Sequence, residues 1–358
     1  MHIAKDQIQR ILIIQPSRLG DCIFCLPAVA TLRKSFPNAY IAWLVDDRCQ
    51  DIVTDNPDIN EVIILHRNRL QPKQIASTCR YISELKHTLR SKQFDLSIDF
   101  NGLLKSGILA YLSGAKYRIG SFNTLGMREL SYLFSHEVPV LDSEQHVIDR
   151  HLAIIRYLGG TRDGTHFPIQ ISDQDKQVVQ NLLKSQNIST TVPLVVIHPG
   201  AGWITRRWFK DRFAQLADIL IDKYQVNIAF VGGRVGGMNE TGLVDDIIRM
   251  MRNPAINLMD QISIKQLVAL FYQTQLFIGN IAGPMHIATA VNVPVIALVG
   301  PTNPATDGPY GDNAMVIRKE LSCSYCRKKH CKTLTCMDKI SVDEVAAAAG
   351  SILSRNRT

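Results

Sequence analysis

The sequence predicts an α/β protein made of two doubly wound parallel-sheet domains. Three observations carry this reading. Short apolar runs alternate with amphipathic stretches along the chain, the pattern of parallel strands with helices on both faces. The pattern occurs twice, separated by residues 159–193, which are rich in Gly, Asp, Ser, Thr, Gln and Pro. Glycine- or proline-bearing turns follow several of the runs. A length of 358 residues suits two domains.

In the first half the strands are read at Ile11–Gln15, Tyr40–Val45, Val62–Leu65 and Leu96–Asp99. Helices between them include Cys22–Ser35 and Ile75–Arg90. In the second half the strands are Leu194–His198, Asn227–Val231, Leu276–Ile278 and Val293–Val299. The helices there lie near Phe209–Lys223, Gly242–Met251, Ile264–Tyr272 and Pro284–Ala290. One helix near Gln174–Lys184 interrupts the polar break. The domains are therefore drawn at residues 1–170 and 171–358. The final Ala-rich helix, Val342–Leu353, could pack on either of them. Two such domains facing each other leave a cleft at the carboxyl ends of their strands, where ligands bind.

Composition narrows the function. Apolar residues make up 46% and charged residues 20%, which excludes a disordered or fibrous chain. Forty Lys and Arg against thirty-two Asp and Glu give a net charge of +8, suited to an anionic partner. Aromatics are only 7%, with no RNP-type or helix-turn-helix pattern, so nucleic acid is not expected. Apolar runs such as Val293–Val299 are strand-sized, not membrane-length. The N-terminal residues lack a signal-peptide core, so the cytosol is the expected compartment.

Four motifs carry candidate chemistry. Gln15-Pro-Ser-Arg-Leu-Gly-Asp21 follows the first strand and opens a helix. Gly20 permits a tight turn or close ligand approach. Asp21 sits at or near the helix N-cap, where the positive helix end favours its ionised form. It is either a plain cap or a general base toward a hydroxyl. The loop is not GxGxxG, which disfavours a standard dinucleotide site. His198-Pro-Gly-Ala-Gly-Trp-Ile-Thr-Arg-Arg-Trp208 places Gly200, Ala201 and Gly202 at a strand end, then Thr205, Arg206 and Arg207. Glycine N–H groups and arginine together suit a pyrophosphate, and a glycine turn with solvated arginines is the plainer reading. Gly279-Asn280-Ile-Ala-Gly283-Pro284-Met285-His286 is a second strand end entering a helix. His286 is either a core histidine or a phosphate donor. The fourth loop, Gly232 to Glu240, ends in an acid that caps a helix or binds ribose hydroxyls.

Together these motifs resemble the ADP-heptose:lipopolysaccharide heptosyltransferase family, glycosyltransferase family 9. The residues that carry the likeness are RLGD (Arg18–Asp21) with LPAV (Leu26–Val29), and HPGA (His198–Ala201) with the RRW-x-x-x-x-F segment (Arg206–Phe213). GPMHIA (Gly283–Ala288) and VGPTNP (Val299–Pro304) continue it, and Phe100–Gly120 and His146–Arg150 also fit. The likeness runs in order along nearly the whole chain. It implies a GT-B architecture and an inverting, metal-independent transfer with no catalytic cofactor. The implied donor is ADP-L-glycero-D-manno-heptose, and the acceptor a lipid A-core saccharide. Asp21 matches the family's general base. Gly200, Ala201, Thr205, Arg206, Glu240, Asn280, Gly283, Pro284, Met285 and His286 fall on donor-binding positions. Arg206 stands where the family has a lysine, which keeps the charge and changes the geometry. Arg18, Gly20, Lys105 and Arg128 are assigned to the acceptor.

Residues 61–92 hold seven Lys or Arg against two acids, and Lys105, Lys116, Arg118 and Arg128 follow. Such a face suits an anionic saccharide and peripheral contact with the anionic inner membrane; an ordinary solvated face is the plainer reading. One departure from the family stands out. Its usual acid after Asn280 is Ile281 here, which cannot accept a hydrogen bond from a sugar hydroxyl. Another nucleotide-sugar donor, or a non-catalytic nucleotide-sugar-binding protein on the same scaffold, therefore remain as alternatives.

Eight cysteines are too few for a disulfide scaffold. Cys323, Cys326, Cys331 and Cys336 nevertheless fall within fourteen residues, among basic neighbours. The cluster reads as structural zinc or iron, as disulfide pairs, or as unligated thiols. Cys22 and Cys25 form another CxxC, either a redox pair or two small core residues, and the core reading is preferred.

Overall fold

The computed structural model describes residues 5–71, 73–121, 130–161, 165–186, 188, 191–233 and 242–355. The chain divides into two compact units, Met1–Gln170 and Ile171–Thr358.

The first unit is built on strands β1 (Arg10–Ile14), β2 (Tyr40–Asp46), β3 (Glu61–Leu65), β4 (Leu96–Asp99) and β5 (Tyr117–Ile119). All are parallel, in the order β3-β2-β1-β4-β5. Helices α1 (Leu19–Ser35), α2 (Ile75–Ser91), α3 (Leu104–Leu112) and α4 (Val147–Tyr157) complete it. Parallel strands are covered on both faces, which explains why β1 reads as an unbroken apolar run, RILII, rather than as an alternation. One core joins Leu12, Ile14, Ala42, Leu44 and Ile63 of the sheet to Tyr81, Leu85 and Leu89 of α2 and to Leu109 and Ala110 of α3. Helices α1 and α4 pack together.

The second unit holds α5 (Asp173–Ser185), β6 (Leu194–His198), α6 (Lys210–Tyr224), β7 (Asn227–Phe230), α7 (Leu243–Met250) and β8 (Ile256–Asn257). It continues with α8 (Ile264–Phe271), β9 (Leu276–Asn280), α9 (Gly283–Ala290), β10 (Val295–Val299), α10 (Pro304–Asp307), β11 (Ala314–Arg318), α11 (Thr335–Asp338) and α12 (Val342–Arg355). Its sheet is parallel throughout, in the order β11-β10-β9-β6-β7-β8. The final helix α12 packs on α6 and on β9 and β10 of this unit. It buries Val345, Ala346, Ala349 and Leu353 in the same core as Leu216 and Leu220 of α6. Among the described residues no helix is long and apolar enough to cross a membrane.

Each sheet has a place where the winding reverses. In the first it lies between β1 and β4, with Ile14 beside Asp99. In the second it lies between β6 and β9, with His198 beside Gly279. Loops leaving the carboxyl ends of such strand pairs diverge and open a crevice, which is where ligands of open α/β sheets bind.

Candidate functional site

At the reversal point of the first sheet, β1 runs into Gln15–Asp21 and β4 into Asp99–Lys105. Helix α1 starts at Leu19, so Asp21 sits in its first turn and the capping position belongs to Arg18. Arg18 has φ 74°, a left-handed backbone that favours glycine. Backbone strain of this kind costs about 1–3 kcal/mol and gathers at ligand-binding loops. The second loop is organised by Asp99, 1% exposed. Its Oδ1 accepts the N–H groups of Asn101 (2.9 Å) and Gly102 (3.1 Å), and its Oδ2 accepts the Ser106 hydroxyl (2.9 Å). Gly102 has φ 64°, so the turn requires glycine. Burial outweighs these donors and raises the Asp99 pKa to about 7.

That turn delivers Lys105 back toward the first loop, where its Nζ donates to Ser17 Oγ at 2.6 Å. Loss of solvent around the ammonium lowers its pKa; Arg67 and Arg18 push the same way, while Asp46 and Asp21 oppose them. A carboxylate, Asp21, and three cations thus share this edge.

Cys22 and Cys25, which follow Asp21 in α1, are fully buried. A hydrogen bond with Cys49 and burial raise the Cys22 pKa, and burial followed by the charge of Asp21 raises that of Cys25. Both are free thiols in the core, and nothing about them suits redox chemistry.

At the reversal point of the second sheet, the loop after β6 is held from beneath. Asn280, at the end of β9 and fully buried, donates to the carbonyls of Pro199 (2.9 Å) and Gly200 (3.2 Å). Its Oδ1 accepts the Trp208 N–H at 3.1 Å. The His198 ring Nδ1 pairs with the Val231 carbonyl at 2.9 Å. Gly279 allows this closeness, since a Cβ there would lie 2.8 Å from the His198 carbonyl oxygen. Gly202 faces open space. Thr205, 1% exposed, gives its hydroxyl to the Lys328 carbonyl at 2.8 Å. Arg207 Nε donates to the Ala201 carbonyl at 3.1 Å. The Arg206 guanidinium lies 4.0 Å from the centre of the Trp203 ring, and the Lys329 ammonium lies 5.4 Å from it.

Helix α9 starts at Gly283 behind Ala282, with Pro284 in its first turn. Proline has no N–H to leave unpaired there, and the remaining first-turn N–H groups and the helix dipole favour an anion. Met285 and His286 are buried in this turn. Ile281, at the position where the resemblance implies an acid, is 5% exposed.

The sequence-derived residues Arg18, Gly20, Asp21 and Lys105 therefore gather at one sheet edge. Gly200, Ala201, Thr205, Arg206, Asn280 and Gly283–His286 gather at the other. Arg128 and Glu240 lie outside the described residues. Asp99 was read only as a strand end and Trp203 only as part of a motif, and neither was singled out. A carboxylate at the carboxyl end of a parallel strand, and a tryptophan beside two arginines, were the available signals.

The C-terminal cysteines line one small cavity with Thr205, Gly300 and Pro301. Cys323, Cys326 and Cys331 are exposed, Cys336 is half-buried, and all four are free thiols. Among the described residues no group of three or more His, Cys, Asp or Glu side chains is placed to hold a metal ion. The expectation of structural zinc or iron finds no support, nor does that of disulfide pairs. Hydrogen bonds brace the segment instead. Besides the Thr205–Lys328 contact, the Arg327 N–H donates to the Pro301 carbonyl at 3.0 Å, and the Arg327 guanidinium pairs with Asp307 at 2.6 Å.

Two parallel doubly wound units, each with its functional loops at the winding reversal, are the architecture of GT-B glycosyltransferases. The chain belongs to glycosyltransferase family 9 (heptosyltransferase), whose sequence pattern matches residues 82–336. It is 27% identical over 327 residues to lipopolysaccharide heptosyltransferase 2 of Escherichia coli K12, covering 86% of this chain and 88% of that protein. The glycosyltransferase family 9 structure from Veillonella parvula superposes with a TM-score of 0.83 at 24% identity, covering 99% of each chain. E. coli ADP-heptose lps heptosyltransferase II superposes with a TM-score of 0.78 at 24% identity, over 98% of this chain and all of the other. The protein is a glycosyltransferase.

Proposed function

We propose that the chain transfers a heptose from ADP-L-glycero-D-manno-heptose to the inner core of a lipid A-linked saccharide, with inversion and without a metal. The reaction would take place at the cytoplasmic face of the inner membrane, to which the protein binds peripherally. The observation that carries this reading is the place of Asp21: in the first turn of α1, at the reversal point of the first sheet, with Arg18 and Lys105 on the same edge. Its carboxylate takes the proton of the acceptor hydroxyl as the oxygen attacks the anomeric carbon. ADP leaves from the opposite face of the sugar. Arg18 and Lys105 hold the anionic acceptor.

On the donor side, the N–H groups at the start of α9 and the Arg206 guanidinium would neutralise the pyrophosphate as charge builds on it. Asn280 and Thr205 act through the loop. Their polar atoms hold Pro199, Gly200, Trp208 and the 328 segment, so they set the position of the Gly200–Ala201 backbone. Asp21→Asn is expected to lower kcat by roughly a hundredfold to ten-thousandfold, while stabilisation of the fold by ADP persists. Unchanged turnover would remove Asp21 from the base role.

Ile281 favours a second reading, a transferase with another nucleotide sugar. Its side chain is apolar and buried, and the neighbouring Asn280 amide is already engaged by the loop. Thermal shifts with ADP, ADP-heptose, UDP, GDP, UDP-glucose and UDP-N-acetylglucosamine separate the two. A shift with the adenosine ligands alone supports heptose transfer, and a shift with a uridine or guanosine ligand instead supports a changed donor.

A further inference from the structure

Helix α3 has two different sides. It buries Ser106, Gly107, Leu109 and Ala110 against the unit. Leu104, Ile108 and Tyr111, spaced by four and three residues and so on one stripe, are 41%, 37% and 53% exposed. A short 3-10 turn, Ser131–Phe134, packs against the same helix. Contact there is close: a Cβ on Gly107 would meet the Ser131 carbonyl at 2.9 Å, and the Tyr111 and Phe134 rings lie 6.0 Å apart. Beside and within that turn, Leu130, Tyr132 and Leu133 are 51%, 50% and 64% exposed. Six of the fifteen exposed large apolar side chains among the described residues thus belong to these two neighbouring segments. A single exposed leucine needs no explanation, but such a concentration does.

Cations border the patch. Lys105 stands beside Leu104 at the start of α3. At the other end, Arg90 Nε donates to the Leu112 carbonyl at 3.4 Å. Arg118 Nε donates to the Phe134 carbonyl at 2.7 Å, and its guanidinium lies 5.7 Å from the centre of the Tyr111 ring. Among the described residues, the nearby acids have partners, Asp95 in Lys116 and Glu137 in the Tyr157 hydroxyl.

We propose that this face, formed by α3 and the 130–134 turn, docks on the surface of an anionic phospholipid bilayer. Leucine and isoleucine enter the acyl boundary, the two tyrosines sit at headgroup level, and the positive charge of Arg90 and Arg118 attracts the anionic surface. A second copy of the chain is the poorer occupant, because pairing the patch with itself would bring like charges together around its rim. The proposal deepens the reading of a lipid-linked acceptor and rests on it. Helix α3 begins beside Lys105, at the acceptor end of β4, so a docked helix would bring the saccharide headgroup to the Asp21 edge.

The test uses flotation of the full chain with vesicles of phosphatidylethanolamine plus phosphatidylglycerol, against vesicles of phosphatidylcholine alone. Wild type is expected to float with the anionic vesicles and to be released by salt. Ile108→Glu combined with Leu133→Glu, both at exposed positions, is expected to weaken vesicle binding by roughly tenfold or more. The same variant should keep its melting temperature, its stabilisation by ADP, and its turnover on detergent-dispersed acceptor. Equal binding to both vesicle types, or a variant that floats as well as wild type, overturns the proposal. So does a dimer in sedimentation velocity that the variant dissociates, since the patch is then a subunit interface. If the intact enzyme floats but turns over no heptose, the functional reading fails and the docking face stands.

Discussion

Asp99 shows how a buried carboxylate can shape a loop at a measurable cost. Its pKa rises from 3.8 to about 7 because burial outweighs three hydrogen bonds. Between those values the native state holds a proton that the unfolded chain has released. The contribution of this group to stability is therefore complete below about pH 4 and is lost as pH rises through about 7. Asp99→Asn keeps an acceptor for the Asn101 and Gly102 N–H groups and carries no charge. The melting temperature of the variant is expected to decline less than that of wild type between about pH 5 and about pH 8. Parallel melting curves in the two proteins would mean that Asp99 titrates near its ordinary value. Lys105 sits on the loop that Asp99 organises, so under the proposed acceptor role of Lys105 any shift of that loop in the variant would be read in acceptor KM.

At the scale of elements, helix α12 meets α6 closely at Gly350, where the end of the Tyr224 side chain fills the space a Cβ would take. A Cβ on Gly350 would lie 2.0 Å from the Tyr224 hydroxyl oxygen and 2.5 Å from the ring carbon that carries it. Gly350→Ala is expected to cost about 1–3 kcal/mol, and Tyr224→Ala in the same chain should recover most of that loss. Additive losses in a double-mutant cycle by chemical denaturation would disprove the clash. Elements of this kind differ in how clearly they were written in the sequence. The central strands β1, β2, β6, β9 and β10 were legible as apolar runs, because both their faces are covered. Strands β5 and β8, three and two residues long, are too short to carry a period. Helix α3 was hidden inside a motif with an internal glycine, Gly107, and an exposed apolar stripe, which together mask a helical pattern. The site loops were legible from their glycines and arginines. The part played by Asn280 was not, since an amide that binds a ligand and one that holds a loop look alike until its partners are known.

At the scale of the whole molecule, each unit has its own sheet and its own core. One contains Leu12, Ala42 and Leu85, and the other contains Val195, Phe230 and Leu298. Chains built this way need not unfold in one step. Calorimetry is expected to show two transitions. ADP, if it binds the loops of the second unit, should raise only the one belonging to residues 171–358. A nucleotide that raised both equally would indicate coupling between the units strong enough to unfold them together. The docking face belongs to the first unit, so anionic vesicles and nucleotide should act on different transitions.

The loop after β6 also has a consequence for the order of assembly. Thr205 is tied to the carbonyl of Lys328, and the Trp208 indole N–H to the carbonyl of Ile340 at 3.1 Å. Those partners are made 123 and 132 residues later in synthesis. A nascent chain can lay down β6 to β10, with Asn280 already under this loop, while these two ties are still missing. The loop is tied down fully only after residues 328–340 have left the ribosome, so the proposed donor site would form late relative to the sheet beneath it.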